Sequence, residues 1–84
     1  MSFFVYLLSN KKYKRITTYV GYTNNLNLRL SKHNSNKGAK STKGYKWILI
    51  YSKKFKSKNS AMSYEYKLKK DRVLRHELLM KSTK

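Results

Sequence analysis

The chain contains no cysteine and no proline, three glycines and only three acidic residues. Without cysteine there is no disulfide, no thiolate zinc site and no cysteine nucleophile. Without proline, turns rest on glycine, asparagine and serine. No apolar run approaches the ~20 residues of a membrane span. The N-terminal run Phe3-Phe4-Val5-Tyr6-Leu7-Leu8 is short. It lacks the basic lead and small-residue cleavage site of a signal peptide. An intracellular location, cytoplasmic or nucleoid-associated, is therefore expected, with no membrane partner.

The shortage of acid leaves 21 basic residues nearly unopposed, for a formal net charge of +18. A field of that size repels itself and calls for an anionic partner. DNA is the first candidate and RNA the alternative, with strong salt dependence expected from counterion release. The 84 residues suit one domain over 1–84. Hydrophobic residues make up 39% of the chain, enough for one small core and too many for a disordered tail.

Hydrophobic patterning supplies the elements. Residues 3–8 and 15–22 are rich in aromatic and β-branched types and predict two strands. The polar stretch Ser9-Asn10-Lys11-Lys12 between them predicts the turn of an antiparallel hairpin. Asn24 and Asn25 offer helix-capping chemistry. Leu26, Leu30 and His33 then recur at helical period, predicting a helix over 25–34. Residues 34–46 read as a loop. Residues 47–51 form a continuous apolar run and predict a buried third strand. A second helix is predicted over 60–70, and a third begins after Asp71 as N-cap. The order β-β-α-β-α-α predicts an α+β fold, a three-stranded antiparallel-type sheet flanked by helices.

Chemistry must come from few residues. A metal-dependent phosphodiesterase needs a carboxylate, because Mg²⁺ takes oxygen ligands. Asp71 is accounted for as a cap, and Glu77 as a surface residue four before Lys81. Glu65 shares a helical stripe with Ala61 and Leu68 and has no such explanation, although Lys69, four residues on, is placed to pair with it. Arg29 and His33 are also four apart, at the edge of the Leu26/Leu30 stripe. An arginine there forks onto phosphate oxygens, and a histidine exchanges a proton near neutral pH. The plain alternative is a pair of ordinary basic surface residues. Tyr6 and Tyr19 fall on the two hairpin strands. They either pack the sheet or act on a water. Lys37-Gly38-Ala39-Lys40-Ser41-Thr42-Lys43-Gly44 lacks P-loop spacing. It reads instead as a loop gripping backbone phosphates, with Lys32, Lys37, Lys40, Lys43 and Lys46 as nucleic-acid contacts.

Taken together, these segments resemble the GIY-YIG nuclease family. Phe4-Val5-Tyr6 is similar to the GIY element and Tyr19-Val20-Gly21 to the YIG element. Arg29-Leu30 and His33-Asn34 match the family's arginine helix, and Ala61 and Glu65 its metal-binding helix. The likeness runs from about Phe3 to Leu79 and is greatest to small stand-alone bacterial members. Phe4, Val5 and Val20 depart from the family letters, and Lys56 stands where a proline is common. The further asparagine of some members has no equivalent.

The resemblance implies a DNA endonuclease working with one Mg²⁺ or Mn²⁺. Glu65 would hold the ion, Arg29 would balance charge on the phosphate, and Tyr6 or Tyr19 would orient or deprotonate the water with His33 assisting. Little sequence specificity is expected, with DNA structure or a targeting protein directing the cut in repair or recombination. The alternatives are a non-catalytic basic nucleic-acid-binding module and a small ribonucleoprotein component.

Overall fold

The computed structural model describes residues 2–12, 15–35 and 46–82. Strand β1 (Phe3–Lys12) lies in the middle of a three-stranded sheet of order β2-β1-β3. Both neighbours, β2 (Arg15–Thr23) and β3 (Ile48–Phe55), run antiparallel to it. Helices α1 (Leu26–Asn34), α2 (Lys58–Lys70) and α3 (Arg72–Ser82) complete the predicted order.

The continuous apolar run of β1 has a direct cause. Both faces of this strand are covered, so neither set of alternating residues needs to be polar. Val5 and Leu7 point into a core shared with Val20 of β2 and Ala61 and Leu68 of α2, with Leu74 and Leu78 of α3 packed against it. Tyr6 and Leu8 point the other way, against Trp47, with Tyr19, Leu26 and Leu30 around them. Leu7 and Leu68 are fully buried, each contributing about 1.5–3 kcal/mol.

Capping fixes the helix starts. Asn25 Oδ1 accepts from the Leu28 N–H at 3.1 Å, and Ser57 Oγ accepts from the Ser60 N–H at 3.1 Å. Asp71 caps α3 as expected, its Oδ1 accepting from the Leu74 N–H at 3.0 Å. The same residue closes α2, its N–H donating to Lys67 and Leu68 carbonyls. One acidic residue thus makes the corner between two helices.

Three expectations need correction. Ser9 to Lys12 are strand and not turn: they pair with Arg15 to Thr18 and lengthen the hairpin. Polar composition misled here because Asn10 is buried, its Nδ2 donating to the Lys46 carbonyl at 2.7 Å. The third strand begins at Ile48, and its start is exposed, with Ile48 at 65% and Leu49 at 36%. Among the described residues it is an edge strand, with a neighbour on one side. Helix α2 begins at Lys58, because Ser57 supplies the cap two residues earlier than periodicity suggested.

Candidate functional site

Pairing between β1 and β2 sets the first contacts. Tyr6 stands opposite Gly21, and Leu8 opposite Tyr19, so Tyr6 and Tyr19 share the face that α1 covers. Their ring centroids are 6.4 Å apart. Gly21 is required by this approach. A Cβ there would meet the Tyr6 hydroxyl and come within 2.6 Å of its Cζ, closer than real Cβ contacts.

Helix α1 brings Arg29 and His33 onto the same phenol. The Tyr6 hydroxyl lies 2.9 Å from His33 Nε2, and Arg29 Nε donates to it at 3.2 Å. The phenol oxygen accepts from Arg29, and in one tautomer of the imidazole its own proton points at His33. That requires Nε2 of His33 to carry a lone pair. The environment favours this neutral form: burial lowers the His33 pKa and the Arg29 charge lowers it further. Burial also pushes the Tyr6 phenol up, while the hydrogen bond and charge of Arg29 pull it down. The charges of Tyr19 and Glu65 would raise it. Arg29 in turn is held more firmly charged, chiefly by its bond to Tyr6.

Around this bond lies an aromatic chain. The Tyr19 ring is 4.9 Å from that of His33 and 6.2 Å from that of Trp47. Trp47 is held by Asn34, whose Oδ1 accepts its N–H at 2.6 Å and whose Nδ2 donates to its carbonyl at 3.1 Å. Sequence reading missed Asn10, Asn34 and Trp47 as supports. Their only signal was two asparagines in segments read as a turn and a helix end.

Glu65 approaches from α2. Its side chain is 18% exposed and pairs with Lys69 Nζ at 3.5 Å, the lysine being 52% exposed. Its charge acts to raise the Tyr6 phenol, as the weakest of the influences on that group. The described residues hold no group of three or more metal-ligating His, Asp or Glu side chains. That donor set does not suit zinc, which takes three or four protein ligands. A single partly shielded carboxylate fits Mg²⁺, which keeps several waters and is bound through one or two carboxylates plus substrate phosphate.

Tyr6, Tyr19, Arg29 and His33 therefore gather on one face of the sheet, while Glu65 pairs with Lys69 on its own helix, and one residue differs in character. His33 is fully buried, not a surface residue, because the ring contacts with Tyr6 and Tyr19 enclose it. Arg29 also lines, with Lys32, a cavity of about 210 Å³ at the start of α1. Lys46 is exposed. Lys37, Lys40 and Lys43, and the loop they were read to form, lie outside the described residues. No described helix is long and apolar enough to cross a membrane.

The chain is similar in sequence and fold to known proteins. Residues 2–75 match the family model of the GIY-YIG catalytic domain. A UPF0213 protein of Staphylococcus haemolyticus is 42% identical over 67 residues, 79% of this chain and 78% of that one. A UPF0213 protein of Oceanobacillus iheyensis is 50% identical over 52 residues, 61% of this chain and 60% of that one. The solution NMR structure of a UPF0213 protein from Bacillus halodurans is 36% identical and aligns with a TM-score of 0.55. It covers 95% of this chain and 84% of the other.

Proposed function

The chain belongs to the GIY-YIG nuclease family, and from that premise we propose that it is a metal-dependent endonuclease that hydrolyses DNA phosphodiester bonds. The observation that carries this reading is the Tyr6 hydroxyl, held between Arg29 Nε and His33 Nε2.

Tyr6 works as a relay. Its pKa is raised by burial, so a standing phenolate is disfavoured at neutral pH. The attacking water gives its proton to the Tyr6 oxygen as the Tyr6 proton passes to His33 Nε2. The water oxygen bonds to phosphorus, and the bond from phosphorus to a sugar oxygen breaks, that oxygen taking a proton from solvent to leave as a hydroxyl. His33 is left as the imidazolium. Tyr19 packs on His33 and keeps the ring in line.

Arg29 spends its Nε–H on Tyr6. A guanidinium has four further N–H donors, which turn to the charge building on the phosphate. A group of this kind is typically worth ~3 kcal/mol of barrier. Glu65 would hold a Mg²⁺ or Mn²⁺, which when bound acts as a Lewis acid toward the phosphate. Lys32 and Lys46 contact the backbone. Such contacts carry no sequence information, so little intrinsic site preference is expected. DNA structure or a partner protein would then direct the cut.

The Glu65–Lys69 ion pair favours a second reading, a binding module whose carboxylate is permanently neutralised. Plasmid nicking in Mg²⁺ or Mn²⁺ separates the two. Wild type is expected to nick, and Glu65→Ala and Arg29→Ala to stop nicking while binding persists. A wild type that binds duplex, nicked, branched and single-stranded DNA and cuts none of them leaves the binding module.

A further inference from the structure

A second cavity, of about 240 Å³, lies where the outer edge of β2 meets α2 and α3. Thr18, Tyr19, Val20, Lys69 and Arg75 line it. Among the described residues its lining holds two cations and no carboxylate. Strand β2 is an edge strand, so part of its backbone N–H groups point away from the sheet. Concavities at sheet edges of this kind suit anions.

Arg75 is built into position. One of its Nη nitrogens donates to the Leu68 carbonyl at 2.9 Å and to the Lys69 carbonyl, so it closes the C-terminal end of α2. Those two bonds leave three of its five donors unspent. Lys69 is the shared member. Its ammonium lies 3.5 Å from Glu65 and its side chain is half exposed, so it belongs at once to the cavity and to the carboxylate.

We propose that this cavity is a phosphate subsite, holding a backbone phosphate of the nucleic acid beside the one that is cut. Lys69 connects it to the reaction centre. In the free protein the Lys69 ammonium rests on Glu65. A phosphate in the cavity draws the ammonium to itself and releases the carboxylate for a divalent cation. Phosphate binding and metal binding then strengthen one another, since such coupling is reciprocal. Tyr19 lies on the wall between the cavity and His33, so the neighbouring phosphate would be seated next to the relay. The inference rests on reading Glu65 as the metal carboxylate.

Two binding measurements test it, neither of which requires cleavage. The first is the salt dependence of duplex DNA binding in EDTA, by fluorescence anisotropy. The variant is Lys69→Gln. The control is Lys67→Gln, two residues away and so on another side of the helix. Lys69→Gln is expected to lower the slope of log K against log salt by about 0.9, the value of one phosphate contact, and Lys67→Gln to leave it unchanged. The second is Mn²⁺ binding without DNA, by electron paramagnetic resonance. Losing a partly exposed competing ion pair is expected to tighten Mn²⁺ binding by roughly two- to fivefold in Lys69→Gln. Equal slopes for the two lysine variants, or unchanged Mn²⁺ affinity, overturn the proposal. If both quantities move as expected and no DNA is ever cut, the subsite stands and the nuclease reading alone falls.

Discussion

The Tyr6 hydroxyl and His33 Nε2 stand 2.9 Å apart, across 27 positions of sequence. The bond joins a strand-borne phenol to a helix-borne imidazole. Tyr6→Phe keeps the ring that packs against Leu8 and Trp47 and deletes only the relay atom. It is expected to lower single-turnover cleavage by about 10²–10⁴-fold, the usual worth of a positioned proton-transfer group, with DNA affinity unchanged. A Tyr6→Phe enzyme that cuts within a few-fold of wild type would remove Tyr6 from the chemistry.

The His33 pKa is lowered, first by burial and then by Arg29. Its neutral form accepts the proton, so the acid limb of the rate profile is expected below the ordinary histidine value of about 6.5. Stability follows the same sign. Protonation is less favourable in the folded state than in the unfolded one. The contribution from neutral His33 is therefore full above pH ~6.5 and is lost as pH falls through the lower folded value. Denaturant midpoints between pH 7 and pH 4 measure this directly. In His33→Gln that share of the acid sensitivity is expected to vanish.

Gly21 has no room for a methyl group, because the Tyr6 ring occupies the space. Gly21→Ala is expected to destabilise the fold by about 1–3 kcal/mol, the usual cost of overpacking. It also displaces the hydroxyl from Arg29 and His33, so cleavage falls more than stability accounts for. A variant with wild-type melting and wild-type cleavage would contradict the observed crowding.

Asn34 clamps both backbone groups of Trp47. Asn34→Ala is expected to cost about 1–3 kcal/mol and to loosen Trp47 against Tyr19. The chain has one tryptophan, so its fluorescence reports the change without ambiguity. An emission spectrum and stability equal to wild type would count against the clamp.

On the other face of the sheet the Tyr51 and Tyr64 hydroxyls are 3.0 Å apart. Burial and this bond push Tyr64 up to about 12. A raised value means its contribution is complete below pH ~10 and lost as pH rises through about 12. Spectrophotometric titration is expected to show one phenol ionising last. Tyr64→Phe should abolish that step and cost about 1 kcal/mol of stability.

Much of the fold was legible locally. The run Phe3 to Leu8, the periodic Leu26, Leu30 and His33, and Asp71 as a cap are each decided by neighbours within one turn or strand, and each is where it was expected. Ser9 to Lys12 and Ile48 were not legible. Whether a polar segment pairs, or an apolar one is covered, depends on a partner elsewhere in the chain. Asn10 is strand because Lys46 offers it a carbonyl, and Ile48 is exposed because β3 has a neighbour on one side only.

By itself the sequence determined the charge, the element order and the short set of residues able to do chemistry, since composition and periodicity are properties of the chain. Only the tertiary structure decided that Tyr6, Arg29 and His33 share one hydrogen-bonded cluster, and that Lys69 rests on Glu65. Hydrogen bonds reach about 3 Å, and only folding brings groups so far apart in sequence within that distance.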